Sequence, residues 1–184
     1  MKNDGQEQNA TCVRWGLSTM TSFTDQLSDS NDAYVKSFDA HDVPGRAGVH
    51  LLLLTCMDSR IVPHAVLGLE VGDMKVIRNA GAQLNPEVER DIVLGSYLLD
   101  CDNIVIMAHT RCAMASLSIA DVKETLARLS GLDFSTFEPR MIENQEEKLR
   151  RDVATLLANP LLKNDVKVQG AIYDVDSGKV NWIC

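Results

Sequence analysis

Val49-His-Leu-Leu-Leu-Leu-Thr-Cys56 is a nearly continuous apolar run of strand length. A strand with one wet face alternates apolar and polar residues, whereas a strand covered on both faces does not, so this run predicts a central strand of a parallel sheet. Downstream, Pro63 suits the first turn of a short helix over Val62 to Leu67. Met74-Lys-Val-Ile-Arg78 predicts a second strand that ends in Asn79-Ala80-Gly81. Pro86 opens a helix through Leu99, with Glu87, Glu89 and Asp91 placing negative charge in its first turns. Asn103-Ile-Val-Ile-Met-Ala-His109 reads as a third strand, and Asp121 to Leu129 and Met141 to Leu157 as helices. Val166 to Tyr173 is a fourth strand, followed by an Asp176-Ser-Gly178 turn and a short strand over Lys179 to Ile183. Strands that alternate with helices connect by right-handed crossovers. The expected fold class is α/β: a single domain with a mostly parallel central sheet of about four to five strands flanked by helices, plus an N-terminal arm.

The arm covers residues 1–40 and the α/β domain residues 41–184. The first thirty residues are rich in Ser, Thr, Asn, Asp and Gln, and read as an arm rather than core. Asn31 to Ala40 predicts a helix with Tyr34, Val35 and Phe38 on one side, a stripe that needs a partner such as another subunit. A net charge of −8 without a Lys/Arg cluster argues against a nucleic-acid partner. No apolar stretch approaches the roughly 20 residues that span a bilayer, so no membrane partner is expected. Met1 to Gly16 has neither an apolar h-region nor an Arg-rich pattern, and the expected localisation is cytoplasmic. Asn9-Ala10-Thr11 then reads as a chance sequon. Five irregularly spaced cysteines do not make a disulfide framework, and Cys12, Cys101 and Cys184 read as free thiols without a role.

Thr55-Cys-Met-Asp-Ser-Arg60 and His109-Thr-Arg-Cys112 each follow an apolar strand directly. In open α/β sheets the binding crevice lies past the carboxyl ends of the strands. Singly, Cys56 reads as a buried strand-end thiol, His109 as a hydrogen-bonded core histidine and Cys112 as a helix-start residue. Jointly they offer two thiolates and one imidazole, a soft set suited to tetrahedral zinc with one position left for water or substrate. The expected cofactor is one Zn2+ per chain.

Cys56-Met-Asp58-Ser-Arg60, Arg78-Asn-Ala-Gly81 and His109-Thr-Arg-Cys112 resemble, in order, the C-x-D-S-R, R-N-A-G and H-x-x-C motifs of the β-class carbonic anhydrases. The resemblance implies that Cys56, His109 and Cys112 bind zinc, and that Asp58 and Arg60 form a catalytic dyad beside the fourth coordination position. It implies reversible hydration of CO2 to bicarbonate and a proton by zinc-bound hydroxide. It also implies a homodimer or higher homo-oligomer with active sites near the interface. Two positions depart from the pattern. Ala113 stands where the family commonly has Gly, and would hurt activity if that site needed φ > 0. Arg111 stands where many members carry Asp or another small polar residue.

The short length, the His-Thr-Arg-Cys form and Ile172-Tyr-Asp-Val175 look closest to a small-subunit branch that includes carbonyl sulfide hydrolases, so COS hydrolysis at the same site is the alternative. An inactive zinc-binding scaffold is a further alternative, for which Ala113 is the motive. CO2 and COS are small, linear and weakly polar, which calls for a narrow apolar slot beside the metal. Ala80, Gly81 and Ala82 are its expected pocket residues, with further walls from a partner chain.

Overall fold

The computed structural model describes residues 22–184, and the chain divides into two compact units between His41 and Asp42. Cys12, the sequon and the greater part of the expected arm lie outside the described residues. In the first unit, α1 (Phe23–Val35) starts well ahead of the expected Asn31. The Ser22 hydroxyl accepts from the Asp25 amide while the Asp25 carboxylate accepts from the Ser22 amide, a capping box that satisfies two helix-end donors at that point. Phe38 falls beyond the helix end, its ring 5.7 Å from that of Tyr34.

The second unit runs β1 (Leu51–Cys56), α2 (Pro63–Leu67), β2 (Met74–Asn79), α3 (Pro86–Leu98), β3 (Asn103–His109), a 3-10 turn (Ala113–Ala115), α4 (Ile119–Ser130), α5 (Gln145–Leu157), β4 (Lys167–Tyr173) and β5 (Val180–Trp182). The strands form one sheet in the order β2-β1-β3-β4-β5, parallel except for β5, which returns antiparallel to β4. This is the mostly parallel sheet flanked by helices that the apolar runs predict. β1 begins at Leu51 rather than Val49 because His50 takes a φ of 58°, with its Nδ1 2.8 Å from the Asp100 carbonyl. α5 begins at Gln145 rather than Met141, because the Asn144 side chain accepts from the Glu147 amide and starts the helix there.

Leu52, Leu54, Ile104, Ile106 and Val168 pack with Val88 and Ile92 of α3 and with Leu149, Val153 and Leu156 of α5. Leu53, Val105, Met107 and Ala171 build a second cluster with Ile61, Val66 and Leu67. Coverage on both faces is the reason β1 and β3 are unbroken apolar runs. The two clusters take alternate residues of β1 and β3 and so lie on opposite faces of the sheet, in which β1 leads to β2 on one side and β3 lies on the other. That reversal of strand order between β1 and β3 opens a crevice. Among the described residues no helix is long and apolar enough to cross a membrane.

Candidate metal centre

Cys56 is the last residue of β1 and His109 the last of β3, so the crevice receives one side chain from each strand. Cys112 joins them as the residue that caps the 3-10 turn. The ligand atoms of these three buried residues lie within 4.8 Å of one another. His109 is wholly buried, and its Nδ1 lies 2.9 Å from the Thr110 carbonyl. A carbonyl only accepts, so Nδ1 donates in this contact, and in the neutral tautomer that donates so the lone pair falls on Nε2.

That Nε2 has no hydrogen-bond partner among the described residues. A buried polar atom without a partner costs free energy, and one that faces two sulfurs has the surroundings of a metal ligand. The Nδ1 contact is the outer-shell bond that metal-ligating histidines ordinarily make. Burial pushes the Cys112 thiol pKa up, opposed by the amides of Met114 and Ala115 and reinforced by neighbouring Cys56. A divalent cation reverses that balance, because a coordinating thiol is deprotonated outright. Two thiolates and an imidazole fit zinc.

Asp58 sits beside the three, its Oδ2 3.8 Å from His109 Nε2. Arg60 engages both carboxylate oxygens, Nε to Oδ1 at 2.9 Å and Nη2 to Oδ2 at 2.7 Å, and its amide donates to Oδ1 as well. These bonds hold the Asp58 carboxyl well below the usual carboxylate range. The Arg78-Asn-Ala-Gly81 motif lies at the end of β2, on the side of β1 away from β3. Its Arg78 Nε donates to the Cys56 carbonyl at 2.9 Å and its Nη2 to the Asp58 carbonyl at 2.6 Å. The Gly81 amide donates to Cys56 Sγ at 3.3 Å.

Of the expected pocket residues, Gly81 and Ala82 are buried, whereas exposed Ala80 lines a cleft of about 310 Å³ with Asn79, Gln83, Met114, Phe137 and Arg140. Gly81 has a φ of 82°, and a Cβ there would meet Ile142 Cδ1 at 2.9 Å and Met114 Cβ at 3.1 Å, so the position requires glycine twice over.

The sequence reading missed the supports of the β3 end. Gln145 Nε2 donates to the His109 carbonyl, and Thr110 bonds both Asp174 and the Val175 amide. These are bonds between segments far apart in the chain, for which no local pattern exists. Arg78 carried a signal only as part of a motif.

Fold and site together define a class: open α/β proteins with a Cys2His donor set and a carboxylate-guanidinium pair at the switch point of the sheet. A family model described as carbonic anhydrase matches residues 51–180, which span all three motifs. Beta-carbonic anhydrase 1 of Mycobacterium tuberculosis is 28% identical over 160 residues, covering 87% of this chain and 97% of that protein. A carbon disulfide hydrolase of Acidithiobacillus thiooxidans is 25% identical over 184 residues and covers 84% of each chain. The crystal structure of carbonic anhydrase from Streptococcus mutans superposes with a TM-score of 0.81 at 33% identity, over 90% of this chain and 99% of that one. The chain belongs to the β-carbonic anhydrase family.

Proposed function

We propose that this protein is a zinc-dependent carbonic anhydrase that interconverts CO2 and bicarbonate, holding one zinc per chain through Cys56, His109 and Cys112. The observation that carries the reading is the buried Nε2 of His109, which has no hydrogen-bond partner among the described residues and belongs to a group with two buried sulfurs. A bound zinc supplies a Lewis acid and an acidified water at its fourth position. Asp58 and Arg60 are the catalytic dyad beside that position. Because Arg60 keeps Asp58 ionised, the carboxylate accepts a hydrogen bond there and orients the water. Arg60 also holds both oxygens in a fork and so keeps the carboxylate from serving as a fourth ligand. The substrate slot lies where Ala80, Gly81 and Ala82 pass Cys56.

Ala113 gives no reason to read the protein as an inactive scaffold, since it lies in the 3-10 turn and is absent from the positive-φ residues. Hydrolysis of a sulfur analogue, COS or carbon disulfide, is the second reading. Similarity to a carbon disulfide hydrolase over most of both chains favours it. A slot discriminates such small molecules by only about 1–3 kcal/mol, so activity on CO2 together with some activity on COS is expected.

Zinc quantification on the purified protein, run beside assays of CO2 hydration and of sulfide release, tests metal, catalysis and substrate together. Replacement of Cys56, His109 or Cys112 by Ala is expected to lose stoichiometric zinc and both activities. Asp58→Ala is expected to keep zinc and lose about 100-fold in turnover, the scale of a lost proton acceptor. Full zinc in all three ligand variants would sink the centre, and sulfide release with CO2 hydration at the uncatalysed rate would select the second reading.

A further inference from the structure

We infer that Arg78 is a positioning residue of this centre: its guanidinium clamps the main chain on both sides of Met57 and fixes the spacing between Cys56 and Asp58. The inference rests on the proposed function, in which Cys56 holds the metal and Asp58 orients the water. β1 pairs with β3 only as far as Thr55, so the chain from Cys56 to Asp58 leaves the sheet on that side without a ladder. Segment 78–81 takes over. Arg78 donates from Nε to the Cys56 carbonyl and from Nη2 to the Asp58 carbonyl, the Asn79 carbonyl accepts from the Met57 amide, and the Gly81 amide reaches Cys56 Sγ. The Asn79 side chain closes the turn behind them, accepting from the Gln83 amide and donating to the Gln83 carbonyl.

Asp58 is thereby held at two points, its carboxylate by Arg60 and its carbonyl by Arg78. The second hold matters because Asp58 Oδ2 is already 3.8 Å from the histidine ligand atom, so a small main-chain shift changes what the carboxylate touches. Only a guanidinium suits the task. Its planar fork presents two donors at fixed separation, whereas a lysine ammonium is a point charge on a flexible stem.

The test uses the full-length, zinc-loaded chain with Arg78→Ala and Arg78→Lys, and with Arg90→Ala as a control on an exposed arginine whose side chain bonds Pro86 and Glu87 of its own helix. Arg78→Ala is expected to keep one zinc per chain and an unchanged KM, and to lose roughly 10- to 100-fold in kcat, the cost of about 1 Å of misplacement. Methylguanidinium in solution should restore part of that loss and leave the control unaltered. The visible bands of the cobalt-substituted protein should shift in Arg78→Ala and not in Arg90→Ala. Arg78→Lys should fall between the two, and carries the same measurements if the alanine variant does not fold. Wild-type kcat in both Arg78 variants, or a loss that follows zinc release, overturns the inference.

Amide exchange over residues 57–61 reads the clamp without reference to metal or turnover. Faster exchange there in Arg78→Ala, with α5 unaltered, is expected, and unchanged exchange overturns the clamp. A wild-type chain with neither zinc nor activity would instead sink the functional reading, and the exchange measurement would still decide the clamp.

Discussion

Arg111 takes a φ of 56°, in the left-handed region where Cβ crowds the following carbonyl and where Asn and Asp are tolerated best. That conformation turns the chain after His109 so that Cys112 comes back to face Cys56. The Arg111 side chain meets Asp176 at 2.7 Å, but both partners are largely exposed, and such a pair contributes at most about 1 kcal/mol. Backbone strain of about 1–2 kcal/mol is therefore the larger effect. Arg111→Asn and Arg111→Leu both lose the ion pair, and only Asn suits the backbone. The Asn variant is expected to be about 1 kcal/mol more stable than the Leu variant in urea unfolding, and equal midpoints would show that the loop relaxes. Both departures from the family pattern were visible in the sequence, but which of them carried the unusual dihedral was not. Tertiary bonds such as that from the Thr110 amide to the Tyr173 carbonyl set the path of this loop, and they have no local signature.

The amino end of the sheet is tied by a charged pair that links elements rather than residues of a site. Lys163, in the connection from α5 to β4, meets Asp102, just before β3, at 2.6 Å. The bond holds the Asp102 carboxyl below its ordinary range, and the Lys163 ammonium above its own. A depressed carboxyl contributes stability that is present above the unfolded value near pH 4 and is lost as pH falls through the folded value. A raised lysine contributes stability that is present below its unfolded value near pH 10 and is lost as pH rises through the folded one. The difference in thermal midpoint between wild type and Asp102→Asn should therefore stay constant from about pH 5 to pH 9 and shrink below about pH 4. An unaltered difference in strong acid would assign the effect to packing. Of the elements themselves, β1 and β3 were legible because strands covered on both faces have no polar interruption, and α3 because Pro86 and its acidic first turn mark a helix start. Helix starts set by a single side-chain cap were not. Ser22 and Asn144 each begin a helix where apolar periodicity points elsewhere, and Ile142 is buried in a loop rather than on α5. The centre was legible for a related reason: Cys56 and His109 stand at strand ends and need no long-range information to be placed at the crevice, whereas the bonds of Arg78 cross between strands.

At the scale of the whole molecule, much apolar surface is exposed among the described residues. α1 has no buried residue, and Phe23, Leu27, Tyr34 and Val35 are exposed. Within residues 42–184, α4 also buries none of its residues, and Leu94, Tyr97 and Leu98 lie open on α3. Monomeric proteins rarely expose contiguous apolar patches beyond a few hundred Å², and a stable association buries more than about 1,000 Å² in total. We propose that residues 1–40 are an arm that contacts a second copy, and that the protein is at least a homodimer. Asp58 keeps only 19% of its side-chain surface exposed while Arg60 keeps 42%, so the dyad opens toward solvent on its arginine side. A partner chain there would exclude water from the slot and supply the apolar walls that a small linear substrate requires. Deletion through Ala40 is accordingly expected to lower the mass seen by light scattering from dimer to monomer and to reduce turnover in the same preparation. Zinc content should stay at one per chain, because the proposed ligands Cys56, His109 and Cys112 all lie beyond the deletion. A fully active monomer, with or without the arm, would reject the assembly and confine the catalytic machinery to one chain.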